Sequence, residues 1–243
     1  MSQFAGAVAR FNRAISYMHR RLGRGAYVLL AVMFSVLIVV DLYYTQVIVV
    51  MERKTYDLMM RNRVNAARPD SGIVIIDIDE RSLAAMAADY GRWPWPRQVL
   101  AELVEGIEQQ QPAAVVFDIL FSDPDVNNPE SEAYFNRAMA ATRNTYFPYL
   151  RLDPRNDALS QVKPSMLPGV RRLPDADAKD AGIAVVLPRY PAIIESGRIG
   201  LHNIEPDRDS VIRRYRPWRD EHGWRLPSVP LMVASGLGWP LPA

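Results

Sequence analysis

The sequence contains no cysteine and very little histidine. Without cysteine there are no disulfide bonds, thiolate metal sites or cysteine nucleophiles, although this absence does not identify a cellular compartment. The three histidines, His19, His202 and His222, lie far apart, and no Walker loop, G-x-S-x-G or H-E-x-x-H pattern occurs. These absences argue against a zinc enzyme or a histidine-dependent enzyme. We therefore predict no catalytic residue, no metal and no cofactor.

Acidic residues are missing from the first 25 positions, which carry five arginines: Arg10, Arg13, Arg20, Arg21 and Arg24. Because the whole chain has a formal net charge of only +2, the remainder is slightly acidic. A slightly acidic body does not favour nucleic acid, and we predict no nucleic-acid partner. The 243 residues, 49% of them hydrophobic and 23% charged, suffice for a packed core and exclude a disordered chain.

Charged residues are also nearly absent between Ala26 and Met51, where Asp41 is the only one. A helix of about 25 residues reaches roughly 37 Å, which exceeds the hydrocarbon core of about 30 Å. We therefore predict a transmembrane helix over residues 26–51, with the lipid bilayer as a partner. A signal peptide is the alternative, but the stretch is long and no small-x-small cleavage pattern follows it.

The arginines before this stretch predict its orientation. By the positive-inside rule, residues 1–25 form a cytoplasmic segment, and residues 52–243 form a domain on the outer side of the inner (plasma) membrane. The first part of that domain, from Glu52 to Asn62, predicts a helix that continues from the span as a stalk, because apolar residues recur there at near-helical spacing.

Proline is absent before Pro69, and all 19 prolines break the following body into short elements. The β-branched run from Ile73 to Asp79 predicts an internal strand, and residues 113–120 predict a second one. Between them, Pro96 begins a predicted helix with one apolar face that runs to about Gln110. This succession of strand, helix and strand predicts a βαβ unit with parallel strands.

The rest of the body continues the alternation of helices and strands. Residues 151–182 are rich in proline and charge without periodicity, which predicts a long surface loop of poor order. The fold class is therefore α/β: one N-terminal transmembrane helix, then a single domain with a mixed, partly parallel sheet flanked by helices. The other predicted elements are a helix over 130–141, strands over 144–150, 183–187, 198–204 and 211–218, a hairpin turning at 220–223, and a helix over 230–235.

Aspartates gather where the two predicted parallel strands end. Asp77, Asp79 and Asp118, followed by Asp123 and Asp125, lie at or just after carboxyl ends, where open α/β sheets form their ligand crevice. Such a cluster offers oxygen ligands for Mg²⁺ or Ca²⁺. The alternative, which we favour, is that these side chains cap neighbouring helices or pair with nearby arginines.

The stretch from Gly91 to Arg97 alternates two tryptophans with two prolines between two arginines. The prolines restrict the backbone, so the stretch predicts a rigid loop. It offers an aromatic wall and guanidinium donors to an anionic ligand. The alternative, which we favour slightly, is a structural plug with its tryptophans buried on the sheet and Arg97 bound to Asp79 or Asp118.

Four blocks of the sequence form a longer pattern. They are the strand end Asp77-Ile78-Asp79-Glu80 with Ser82, the loop from Gly91 to Arg97, Phe117-Asp118-Ile119 with Phe121, and the run Asp207 to Arg214. In this order, between about Tyr56 and Gly238, the blocks resemble the CHASE sensory domains of the second class. The tryptophan-proline loop is the most specific block. Ser210 departs from the pattern, since the family usually has glycine there, and we expect a different backbone conformation at that turn.

The resemblance implies a sensor: an N-terminal span, an extracytoplasmic α/β domain, further spans, and a cytoplasmic cyclase or kinase output. The 243 residues contain neither further spans nor an output domain, so we expect part of a longer receptor or a short member that acts through a partner. The alternative is a membrane-anchored, metal-dependent hydrolase that uses Asp77, Asp79 and Asp118. A sensor with one span is also expected to form a homodimer.

The sensor is expected to bind an unknown extracytoplasmic ligand, and its predicted binding site consists of charged and aromatic residues from these blocks. They are Asp77, Asp79, Arg92, Trp93, Arg97, Asp118, Asp207 and Asp209.

Overall fold

A computed structural model of the chain describes residues 24–62, 70–174 and 176–241. The chain divides into two compact units, Met1–Ile76 and Asp77–Ala243. The predicted cytoplasmic segment lies outside the described residues, apart from its last two positions.

The described part of the first unit contains two consecutive helices. Helix α1, Arg24–Val40, continues as a π-helical turn over Asp41–Thr45, and helix α2 covers Val47–Arg61. The apolar part, Gly25–Tyr44, has a mean hydropathy of 2.4 and is long enough to cross a membrane. The predicted stalk is therefore helical.

The sequence predicted one continuous helix from the apolar segment into the stalk, but the structure has a break between them. Gln46 takes a left-handed conformation, with φ 51°, between the π-helical turn and α2. The carboxylate of Asp41 accepts hydrogen bonds from the backbone N–H groups of Val47, at 2.7 Å, and Ile48, at 3.3 Å. The charged side chain thus satisfies N–H donors that the first turn of α2 leaves free, which explains why the break lies here.

The predicted strand over residues 73–79 does not form. Residues 73–76 are extended, but their side chains are highly exposed, with 86% of Ile75 and 80% of Val74 accessible to solvent. Local β propensity favours an extended backbone, whereas a strand also requires a neighbour for its hydrogen bonds. Within the described residues this segment has no strand partner.

The sheet of the second unit is built around one buried strand, β2. It pairs in parallel with β1 through Thr145 and Tyr146, in parallel with β5 through residues 147–149, and antiparallel with β4 through residues 150–151. A second, antiparallel sheet has the order β3-β7-β6. The strands are β1 (Val115–Val116), β2 (Thr145–Arg151), β3 (Arg171–Arg172), β4 (Val185–Val186), β5 (Ile199–Leu201), β6 (Trp218–Glu221) and β7 (Trp224–Pro227).

Helices surround this mixed sheet, which confirms the α/β fold class. The parallel crossover joins β1 to β2 through the helix over Pro129–Ala141, so it lies one element later than the predicted one. The hairpin and the last helix match their predictions, but residues 211–217 form no strand. The helices of this unit are α3 (Glu80–Tyr90), α4 (Arg97–Glu108), α5 (Pro129–Ala141), α6 (Pro191–Glu195) and α7 (Val229–Gly236).

The core lies between β2 and helices α4 to α6. Leu100 and Val104 of α4 are almost fully buried, as the apolar face predicts, although Leu103 is 37% exposed. Phe121 is completely buried and contacts the rings of Phe135, Phe147 and Tyr190, with centroids between 4.9 and 6.3 Å apart.

The predicted loop of poor order, residues 151–182, has defined structure in the part that the structure describes. It contains 3₁₀ helices over Pro154–Leu159 and Pro164–Met166 as well as strand β3. Pro164 and Leu167 are buried. The segment has no periodicity because isolated side chains anchor it, rather than the face of one regular element.

Candidate functional site

The carboxyl ends of the parallel strands bring Asp118 next to a residue that the sequence analysis had not selected. Asp118 follows β1, His202 follows β5, and His202 Nε2 lies 2.9 Å from Asp118 Oδ1. The backbone N–H of His202 donates to the carbonyl of Tyr149, at 2.9 Å, which continues the sheet by one residue. His202 gave no signal in the sequence because its partner lies 84 positions away.

The other strand-end aspartates do not join this pair. Asp79 is the N-cap of α3: its carboxylate accepts hydrogen bonds from the N–H of Ser82, at 2.8 Å, and its hydroxyl, at 2.7 Å. These bonds hold the pKa of Asp79 below its usual value. Asp77 is exposed. Within the described residues, no group of three or more His, Asp or Glu side chains could hold a metal, so the acidic cluster of the hydrolase alternative is not assembled.

The tryptophan-proline loop is a packed plug with one exposed ring. Trp95 is 6% exposed, whereas Trp93 is 38% exposed and packs edge-on against it, with ring centroids 5.4 Å apart. Arg92 is exposed. The loop begins at Gly91, whose φ of 73° is a conformation that side chains rarely adopt.

The predicted pairing of Arg97 with Asp79 or Asp118 is wrong. Its guanidinium is buried, and Nε donates to the hydroxyl of Tyr190, at 3.2 Å, while Nη2 donates to the carbonyl of Asp123, at 3.3 Å. It also lies over the ring of Phe121, 5.1 Å from the centroid. Asp79 is not available to Arg97 because it caps α3, and Asp118 pairs with His202.

The run from Asp207 forms a tight loop closed by one arginine. Arg213 Nη1 lies 2.9 Å from Asp207 Oδ2, and Nη2 lies 2.7 Å from Asp209 Oδ2. The hydrogen bonds from Arg213 lower the pKa of Asp209 to about 2. Ser210 has a φ of 62°, so this serine adopts the left-handed conformation that favours glycine.

Beside this loop lies a partly enclosed pocket with a volume of about 130 Å³. It opens at the carboxyl end of β5, the edge where α/β sheets bind ligands, and Asp207 is the one predicted site residue in its wall. The lining residues are Leu201, Asn203, Ile204, Glu205, Pro206, Asp207, Arg214, Tyr215, Arg216, Trp218, Arg219 and Ser228.

A larger and shallower hollow of 510 Å³ lies elsewhere, where α4 and α5 begin. Gln98 of α4 donates its backbone N–H to the hydroxyl of Ser131 of α5, at 2.7 Å. One backbone N–H in the first turn of α4 is therefore already satisfied by α5 and is not available to a ligand. The hollow contains none of the predicted site residues, so the smaller pocket is the better candidate site.

A buried ionic network lies behind the candidate pocket, and the sequence analysis missed it. The side chain of Arg151 is fully buried, and it forms ion pairs with Asp157, at 2.7 Å, and Glu221, at 2.5 Å. Its backbone exchanges two hydrogen bonds with the side-chain amide of Asn203, a residue of the pocket wall. The partners are spread over 70 positions, so no local spacing could have revealed them.

Burial alone would raise the pKa of Asp157. The hydrogen bonds from Arg151 and from the N–H of Ala184 outweigh burial, however, and the pKa of Asp157 lies below its usual value. The carboxylate is therefore charged at neutral pH, as is required to compensate the buried guanidinium.

The fold and site define an α/β domain with a small polar pocket at the carboxyl edge of its sheet, in a chain that also carries an apolar helix. Comparison with known families identifies it further. The family model of the CHASE2 domain matches residues 30–238, and the chain belongs to this family of CHASE-type extracellular sensor domains. The match begins inside α1 and ends at Gly238. No curated protein and no solved structure matches the chain.

Proposed function

We propose that the chain is the membrane-anchored, extracytoplasmic sensor domain of a bacterial-type signal-transduction receptor, coupled to a cyclase or kinase output. The observation that carries this proposal is the match to the CHASE2 domain over residues 30–238. The match includes most of the apolar segment Gly25–Tyr44 together with the α/β unit. The five arginines before the apolar segment support a cytoplasmic N-terminus.

The orientation is tested with reporter fusions to the full chain. Alkaline phosphatase fused after Gly238 is expected to be active in a bacterial host, because it folds only outside the cytoplasm. A green fluorescent protein fused at the same residue is the matched control, and it is expected to be dark. Fluorescence of that fusion, with an expressed but inactive phosphatase, would reverse the proposed orientation.

The sensor role is tested with a chimaera in which a membrane span and the catalytic domains of a bacterial histidine kinase follow Gly238. Phosphorylation by the chimaera is expected to change with the composition of the growth medium. The control lacks residues 70–238 but keeps both spans. Equal phosphorylation by the two proteins in every medium would contradict a sensory role.

Helix α2 is the proposed dimer contact. Leu58 and Met59 are 60% and 68% exposed, so this helix carries apolar side chains that are free to meet a second copy. A dimer would let the domain transmit a change in helix position across the membrane. Single cysteines along residues 56–60 of this cysteine-free chain are expected to crosslink with helical periodicity. Crosslinking at none of these positions would contradict the contact.

A further inference from the structure

The wall of the 130 Å³ pocket contains more arginines than carboxylates. Three arginines and two carboxylates line it, which gives the wall a formal charge of +1. Arg219 lies 3.4 Å from Glu205 and also pairs with Glu221, and Arg216 lies 3.5 Å from Glu205. The carboxylate of Asp207 is held by Arg213.

Arg214, the third arginine that lines the pocket, takes part in none of these ion pairs. Among the residues that the structure describes, no carboxylate forms an ion pair with it, although Glu205 and Asp207 also line the pocket. Arg214 is exposed at the pocket, and a guanidinium is a strong donor to a carboxylate because its N–H groups bind both oxygens at once. The pocket therefore offers one uncompensated positive charge.

Several other residues of the wall are apolar or weakly polar. Leu201 is buried, Ile204 and Trp218 also line the pocket, and the hydroxyl of Ser228 is hydrogen-bonded to Tyr215. The guanidinium of Arg225 lies over the Trp218 ring, 4.6 Å from its centroid. A volume of about 130 Å³ is small, which favours a small ligand. One negative charge together with a short apolar chain matches this lining.

We propose that this pocket binds a small organic monocarboxylate, with its carboxylate on Arg214 and its hydrocarbon chain against Leu201 and Trp218. The proposal names the ligand class of the sensor site and in that sense rests on the proposed function. Ser228 is also the N-cap of α7, accepting a hydrogen bond from the N–H of Leu231, at 3.4 Å. Ser228 therefore links the pocket wall to the start of the last helix.

The test is titration of the full chain in detergent, labelled with 5-fluorotryptophan, by fluorine NMR. Propionate is the probe, propionamide is its neutral isostere, and inorganic phosphate is an anion without an apolar chain. The resonance that disappears in Trp218→Phe belongs to the pocket. Propionate is expected to shift that resonance in a saturable manner, whereas the resonances of Trp93 and Trp95 stay in place.

Three variants test whether Arg214 and the pocket bind the carboxylate of propionate. Arg214→Gln is expected to weaken propionate binding at least about tenfold, since a hydrogen bond to a charged group is lost. Arg143→Gln, at an exposed arginine outside the pocket wall, is the matched control and is expected to bind as the unaltered chain does. Ile204→Trp, which fills the hollow at its exposed edge, is expected to abolish binding without loss of the other tryptophan resonances.

Every outcome of these titrations either supports or contradicts the proposed ligand class. A saturable shift with propionate that is absent with propionamide and reduced in Arg214→Gln supports the proposal. No shift with propionate, equal binding of propionamide, equal binding of phosphate, or undiminished binding by Arg214→Gln would overturn it. The orientation and chimaera experiments do not use the probe, so the sensor role is judged separately from the ligand class.

Discussion

Arg151 and Arg97 are both buried in the second unit, with 4% and 7% of their surfaces exposed, but the protein compensates the two guanidinium groups differently. Arg151 forms ion pairs with Asp157 and Glu221. Arg97 has a phenol, a backbone carbonyl and an aromatic ring as partners. One region therefore pairs a buried cation with two carboxylates, whereas the other buries a cation against neutral groups.

This difference determines which buried groups lose a partner when each arginine is substituted. Without Arg151, two carboxylates would remain in a region of low dielectric with no cation beside them, which is costly. Without Arg97, the hydroxyl of Tyr190 would still donate to Glu132, at 3.0 Å, and only the carbonyl of Asp123 would lose a partner. Similar burial of two identical side chains thus implies unequal contributions to stability.

The largest effect is expected for Arg151→Met. It should lower the free energy of unfolding by about 3–5 kcal/mol, since it leaves buried charge uncompensated. All five tryptophans belong to the second unit, so tryptophan fluorescence during denaturation of the full chain reports on this unit alone. The control is Arg155→Gln, because the side chain of Arg155 is 88% exposed and pairs with Asp153 in solvent. That variant should lose at most about 1 kcal/mol.

A smaller effect is expected for Arg97→Met, at roughly 1–3 kcal/mol. Methionine can fill much of the space beside Phe121, and the loss is mainly that of two neutral hydrogen bonds. The same fluorescence measurement applies. A loss as large as that of Arg151→Met would show that Arg97 neutralises a charge that the observed contacts do not include, and would remove the distinction between the two regions.

The two regions are also expected to respond to opposite extremes of pH. The pKa of Asp157 is lowered in the folded state, so its contribution is present above the ordinary pKa near 4 and is lost as the pH falls further. Burial raises the pKa of Tyr190 to about 12, with Arg97 opposing and Glu132 adding to the shift. Its contribution is therefore present below about pH 10 and is lost as the pH rises from 10 to 12.

Tyr190→Phe isolates the alkaline part of this prediction. Between pH 10 and 12 the stability of the variant should fall less steeply than that of the unaltered chain, by at most about 1.4 kcal/mol per pH unit. Between pH 3 and 5 the two proteins should show the same slope. An unchanged alkaline slope in Tyr190→Phe would mean that Tyr190 does not stay protonated in the folded state above pH 10.

The sequence predicts the elements of this fold better than it predicts their partners. The helix after Pro96 and the strand that became β2 follow from local patterns of apolar residues, and both were found. The run from Ile73 has an equally clear pattern, yet it forms no strand within the described residues. Propensity describes a backbone conformation, whereas a strand also depends on a neighbouring strand, which is often distant in sequence.

The candidate site shows the same limit more strongly. The blocks that point to the family also contain Asp79 and Arg97, and both turned out to have structural partners. The pocket takes one residue, Asp207, from the predicted set, because its wall is formed by segments that meet only after folding. Arg214 lies at the end of a block that was recognised, but nothing local marked it as the uncompensated cation.

The smallest effect is expected at Ser210, in the loop that Arg213 closes. A non-glycine residue with φ near 62° is strained by roughly 1–2 kcal/mol, while glycine loses more backbone entropy on folding, by up to about 1 kcal/mol. Ser210→Gly should therefore stabilise the unit slightly, by up to about 1 kcal/mol. Ser235→Gly is the matched control, because Ser235 lies in helix α7, where glycine should instead cost roughly half a kcal/mol. If Ser210→Gly were as destabilising as Ser235→Gly, the serine would contribute an interaction that offsets its strain, in addition to the ion pairs of Arg213 and the backbone hydrogen bonds of the loop.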